Sequence, residues 1–199
     1  MPHARQRHLA SIFFKRLRLF PILGIIGPRQ VGKSTFLRDQ ISKTIKASYV
    51  SLDAKGERDR AAKSPSLFLD SFTDPLCIDE VQKTPDLFDA IKLSVDNRRH
   101  PGRFIITGST QFSNKVGIRE SLTGRIGIFH MYPFTLAESV ETKIRTPWVR
   151  RQTGAVFSNS DILKRVHRGG MPGICFLRSE DERAFSWDQW LDTTCYRDI

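Results

Sequence analysis

Cysteine is scarce in this sequence. Its three cysteines, Cys77, Cys175 and Cys195, are odd in number and far apart, and no CxxC or CxxH pair occurs. That argues against a disulfide scaffold and a cysteine-held zinc, and makes a reducing, cytoplasmic compartment the expectation. Long apolar runs are also missing. The longest, Phe20 to Gly27, contains Pro21 and two glycines, far short of the roughly 18 residues a spanning helix needs, so no membrane span is expected. Acidic residues are nearly absent from the amino end: residues 1–46 hold ten Lys and Arg but only Asp39, so +9 of the formal net charge of +11 lies there. A basic start of this kind suits nucleic acid, an anionic membrane surface or a targeting peptide, and equally a solvated helix face. The remaining composition is globular, with 199 residues, 39% of them hydrophobic and 10% aromatic. That is enough for one main domain and a small appendage.

Periodicity supplies the elements. Leu9, Ile12, Phe13, Leu17 and Phe20 recur at spacings of three and four, which predicts one amphipathic helix over residues 3–20. Pro21 ends it, and Ile22 to Ile26 reads as a buried parallel strand. Further strands are predicted at Ala47–Leu52, Leu76–Ile78, Phe104–Thr107 and Ile126–Met131, with helices at Ser34–Ile45 and Pro85–Val95 between them. Strands alternating with helices predict an α/β fold, a parallel sheet of about five strands sandwiched by helices. From Lys143 to Ser160 the chain reads as a linker. A short helix, Asp161–His167, follows, capped by Asp161 or Ser160 and stopped by Gly169 and Gly170, and a last helix runs from Ser179 to Tyr196. The expected organisation is a basic helix over 1–20, a core over 21–140, a linker over 141–160 and a helical segment over 161–199.

Between the first strand and its helix stand Gly27, Pro28, Arg29, Gln30, Val31, Gly32, Lys33 and Ser34, followed by Thr35. They match GxxxxGK[ST] in the strand-to-helix context that this phosphate-binding loop requires. Gly27 and Gly32 let the backbone curl so that amide N–H groups point inward, beside the positive end of a helix. Lys33 reaches the β- and γ-phosphates, and the Ser34 hydroxyl is a hard oxygen ligand for Mg2+. Leu76 to Glu80 reads as an apolar strand ending in two carboxylates. Asp79 is expected to hold Mg2+ at the carboxyl edge of the sheet, and Glu80 to polarise a water aimed at the γ-phosphate. An acidic pair seen alone is more often a turn or a cap; here it accompanies an intact phosphate loop. At the tip of the fourth strand, Ser109, with Thr107 second, is a candidate for the γ-phosphate or the attacking water, although a hydroxyl turn that merely ends the strand is about as common. No [NT]KxD tetrad reads guanine, since Asn114-Lys115-Val116-Gly117 lacks the Asp, so ATP is preferred over GTP.

Taken together, GPRQVGKS, Asp79-Glu80 with Val81-Gln82-Lys83, Ile106-Thr107-Gly108-Ser109 and Ser121-Leu122-Thr123-Gly124-Arg125-Ile126 resemble a prokaryotic family of ATPases in the AAA+ superfamily, in which an ATPase module precedes a C-terminal domain of unknown function. The likeness is good from Leu17 to Tyr132 and looser beyond. It implies that Asp79 and Glu80 form the Walker B pair. It also implies that Arg125 senses the γ-phosphate across a subunit boundary, which brings self-association with it, and that Gly170 and Pro172 belong to a lid on the adenine. Members continue well past the Tyr196–Ile199 stretch, so residues 161–199 are expected to be a truncated lid and the second domain to be absent.

The leading expectation is therefore an ATP-binding module that hydrolyses ATP with Mg2+ as a conformational switch or motor. An alternative is a nucleotide-gated nucleic-acid-binding protein in which Arg5, Arg7, Lys15, Arg16 and Arg18 of the first helix hold phosphates. A small-molecule kinase shares the loop, but it has no need of a water-activating Glu80.

Overall fold

The structure, a computed structural model, describes residues 5–108, 122–140 and 158–195. They fall into two compact units. The larger spans Leu9–Pro28 and Gly32–Tyr132; the other comprises Met1–His8, Arg29–Val31 and Pro133–Ile199.

The larger unit is built on five parallel strands, β1 (Ile22–Ile26), β2 (Ser48–Ser51), β3 (Leu76–Asp79), β4 (Phe104–Gly108) and β5 (Ile126–His130), in the spatial order β2-β3-β4-β1-β5. Every residue of β1, β3 and β4 is buried, as expected for strands covered on both faces, whereas the edge strand β5 alternates. All five predicted strands are present, with ends shifted by at most a residue or two. Ile22, Ile26, Ile78, Phe104 and Ile106 pack with Leu87, Phe88, Ile91 and Val95 of helix α6 (Leu87–Asn97) in one core.

The predicted helix over 3–20 is shorter: α1 covers only Leu9–Arg16, with Phe13 wholly buried. Before it, the backbone N–H of His8 donates to Glu138 instead of a helical carbonyl. After it, Leu19 closes a turn on Arg16 and Phe20 accepts from Gly102. The helix after the phosphate loop runs as α2 (Lys33–Thr35), a π-wound stretch Phe36–Ser42 and α3 (Lys43–Ile45). Two further helices had no periodic signature. Helix α4 (Lys55–Lys63) is almost wholly polar and buries only Ala61, and α5 (Pro65–Asp70) is six residues long. Neither length nor pattern distinguishes them from loop.

In the other unit, α7 (Leu136–Ser139) carries a capping box in which Thr135 and Glu138 bond each other's backbone N–H. Helix α8 (Asn159–Arg168) starts two residues earlier than predicted, and Ser158 caps it; Asp161 is the third residue, reaching back to Ser158. Gly169, at φ +68°, ends it. Helix α9 (Glu180–Trp190) leads into a π-turn, Leu191–Cys195. Among the described residues no helix is long and apolar enough to cross a membrane.

Arg7, expected as a phosphate contact, is instead 6% exposed. It is ion-paired with Glu138, which is 4% exposed, and its guanidinium lies over the Phe134 ring at 4.4 Å. Burial pulls the Arg7 pKa below its usual value, opposed by Glu138. Removing one member of a buried ion pair leaves the other uncompensated. Arg7→Ala is therefore expected to cost this unit about 3 kcal/mol. Urea unfolding followed by tryptophan fluorescence checks it, because all three tryptophans lie in residues 133–199.

Candidate nucleotide-binding site

The phosphate loop leaves the sheet at Gly27, where only a glycine fits. A Cβ there would stand 2.1 Å from the Met131 carbonyl oxygen, because the chain after β5 runs against the loop and the Met131 N–H donates to Ile26 at 2.7 Å. Gln30 and Gly32 take left-handed backbone, at φ +63° and +92°, and reverse the chain into α2. Arg29 and Gln30 are exposed and Val31 is buried, its carbonyl accepting from Arg7. Lys33 is 6% exposed, and its ammonium donates to the carbonyls of Gly27 at 2.9 Å and Pro28 at 2.7 Å. Those bonds wrap the start of the loop around the lysine and hold its charge inside the bend. Ser34 is half-buried and Thr35 exposed.

Register brings the second part of the site to the same edge. Ile78 of β3 pairs with Ile106 of β4, and Ile25 of β1 pairs with Thr107, so Asp79, Thr107 and Ile25 form one row, with Gly27 two residues beyond it. At about 4.8 Å between neighbouring strands, β1 and β3 lie about 10 Å apart with β4 between them. Asp79 is 2% exposed and accepts from two hydroxyls, Tyr49 at 3.2 Å and Thr107. Thr107 in turn accepts from the Glu80 N–H at 3.2 Å. Burial, then the Asp79 charge, push the Tyr49 pKa up to about 12, which keeps it a neutral donor. Glu80 takes left-handed backbone, φ +58° and ψ +42°, a conformation costing a non-glycine residue about 1–2 kcal/mol. It turns the Glu80 side chain off the strand line, where Gln82 donates to it.

Asp79 fits a hard cation. Its bonded partners are neutral hydroxyls, and among the described residues no Lys or Arg is ion-paired with it. No group of three or more His, Cys, Asp or Glu converges among the described residues; Mg2+ needs only one or two carboxylates beside phosphates and waters.

The other expected residues stand apart from this row. Ser109 lies outside the described residues. Arg125 is paired with Asp96, at 2.7 and 3.0 Å. Hydrogen bonding to that carboxylate raises the arginine's pKa and lowers the aspartate's. Its carbonyl accepts from Ile22, at the start of β1, so the five residues of that strand separate it from the phosphate loop by about 16 Å. In the other unit Gly170 sits against Phe134, where a Cβ would stand 2.4 Å from the carbonyl oxygen, and half-buried Pro172 follows. Sequence reasoning missed Tyr49 and Gln82. Tyr49 had no motif to mark it, and its role depends on β2 pairing beside β3; Gln82 was visible only as the residue after the acidic pair and Val81.

A glycine-rich loop between a buried strand and a helix, beside a central strand ending in carboxylates on a parallel five-stranded sheet, defines the fold of P-loop nucleoside triphosphatases. A family model described as an AAA domain matches residues 19–140, more than half of the sequence, and the chain belongs to that family. Uncharacterized proteins of Mycobacterium bovis and Mycobacterium tuberculosis are each 29% identical to it over 196 residues, covering 98% of this chain but 40% of their own length. The AMPPCP-bound DnaA of Aquifex aeolicus shares the fold at a TM-score of 0.50 and 15% identity, over 92% of this chain and 60% of that one.

Proposed function

We propose that this chain binds ATP with Mg2+ at the Gly27–Thr35 loop and hydrolyses it, the cycle serving as a conformational switch or motor. The observation that carries the reading is the shared edge of the sheet, where buried Lys33 is held in the loop at the end of β1 and the Asp79–Glu80 pair ends β3.

In this reading the loop from Gly27 to Gly32 gives its backbone N–H groups, Pro28 having none, to the phosphates, Lys33 gives up its two loop carbonyls for the β- and γ-phosphate oxygens, and Ser34 and Asp79 are the metal ligands. Mg2+ supplies neutralisation of the charge developing on the phosphates. Tyr49 and Thr107 orient the Asp79 carboxylate from behind. Glu80 takes the proton of the attacking water, and Gln82 holds it until that water arrives. Ser109 is the hydroxyl offered to the γ-phosphate or the attacking water. Residues 161–199, with Gly170 and Pro172, act as the lid over the base. Arg125, at the far end of the sheet from its own loop, serves a neighbouring subunit's nucleotide, so the active form is an assembly.

Titration calorimetry tests the binding step. Mg·ATP is expected to bind the full chain more tightly than Mg·GTP. Lys33→Ala is expected to weaken ATP by about 1.5–3 kcal/mol, the range for a lost charged hydrogen-bond partner. Equal ATP affinity in the variant overturns the assignment.

A further inference from the structure

The strongly basic amino end promised a phosphate-binding helix, yet Arg7 is buried in an ion pair and Arg5 lies over the Phe176 ring. Of the cations that remain exposed there, Lys15, Arg16 and Arg18, the two arginines stand at the last residue of α1 and just past it. They sit on the turn into β1, at the amino edge of the sheet, opposite the phosphate loop. The same edge holds the turn into β4, with Arg98, Arg99, His100 and Arg103, and the turn into β5, with Arg125. These turns are stitched together. Phe20 and Pro21 accept from Gly102 at 2.8 Å and Phe104 at 3.0 Å, Arg99 donates to the Gly124 carbonyl at 3.1 Å, and Gly102, at φ +69°, lets Leu17 approach its Cα.

The acids here do not balance the arginines. Asp74 is shared by Arg98 and Arg103, and Asp96 is taken by Arg125. Among the described residues, Asp70, which shares a hollow with Ser94 and Asn97, is the third acid against six arginines. Among the described residues, no carboxylate is ion-paired with Arg16, Arg18 or Arg99. Arg125 apart, which the proposed function turns to a neighbouring subunit's nucleotide, phosphates bound at the opposite edge of the sheet make no use of this charge.

We propose that this edge, presented by the turns before β1, β4 and β5, is a binding surface for the phosphate backbone of duplex nucleic acid. Arginine forks match phosphate oxygens in pairs. Among the described residues no exposed Phe, Tyr or Trp on these turns offers a platform for unpaired bases; Leu19, 63% exposed, is their one exposed large apolar side chain, too little to anchor a lipid surface. Arginine contacts to phosphates carry no base readout, so binding is independent of sequence. The proposal does not depend on ATP binding.

The test is fluorescence anisotropy of a mixed-sequence 20-base-pair DNA duplex with the full chain at 50–200 mM salt, no nucleotide added. Each phosphate contact contributes about −0.9 to the slope of log K against log salt. Four contacts predict a slope near −3.6 and an affinity falling about 100-fold over that range. Arg16→Ala/Arg18→Ala/Arg99→Ala is expected to bring the slope to about −1 and to weaken binding more than tenfold at 50 mM. Lys43→Ala/Lys55→Ala/Lys63→Ala, an equal loss of charge from exposed lysines elsewhere, is expected to leave the slope within about half a unit. All three replaced arginines are exposed, and circular dichroism confirms that both variants stay folded. Equal slopes in the two variants, no binding at 50 mM salt, or loss of binding to phosphatidylserine vesicles in the arginine variant without any duplex binding would each overturn the proposal.

Discussion

Glu80→Gln is expected to keep Mg·ATP binding and to lower the hydrolysis rate by about 10² to 10⁴, the usual worth of a positioned general base. The amide has nearly the carboxylate's shape but cannot take a proton. The backbone around Glu80 supports a role tied to the carboxylate itself. A left-handed non-glycine residue directly after a buried strand is costly, and here the Thr107 hydroxyl on its N–H and the Gln82 amide on its side chain hold it. A residue that only ended the strand would have no need of that conformation. Single-turnover phosphate release, measured beside calorimetric ATP affinity, separates the two roles. Equal turnover in wild type and variant makes Glu80 a structural residue.

Arg125→Ala carries the other large effect. An arginine that reaches the γ-phosphate is worth about 10³ to 10⁵ in rate when fully placed. With Arg125 the length of β1 away from its own loop, the recipient we propose is a neighbouring subunit's nucleotide. Activity should then rise with protein concentration. Arg125→Ala should lower hydrolysis far more than ATP binding, and mixing it with Glu80→Gln should restore part of the activity, since a mixed pair places an intact Arg125 beside an intact Glu80. Moving out to a neighbour breaks the pair with Asp96. A surface pair of this kind is a weak restraint. Specific activity flat across dilution, with no recovery on mixing, assigns Arg125 to the Asp96 pair alone.

The sheet was legible because buried parallel strands are written as continuous apolar runs. Ile22–Ile26 and Phe104–Thr107 needed only their ends adjusted. The phosphate loop was legible because its glycines answer to backbone geometry: Gly32 takes the left-handed turn and Gly27 the close approach to Met131. What stayed hidden depends on contacts between distant segments. Arg7 and Arg18 look alike in a charge count, but one is drawn inside by Glu138, 131 positions away, while the other remains exposed. Tyr49 gains its meaning from a strand pairing and Arg125 from Asp96, 29 residues before it. Helix α4 buries one alanine, so neither its existence nor its bounds could be read from periodicity.

Phosphate release from saturating Mg·ATP by the unaltered chain, set beside the Lys33→Ala variant under the same conditions, tests the central claim most directly. A rate well above the uncatalysed background that falls to that background in the variant is the predicted result. Release that is the same in both proteins would contradict it.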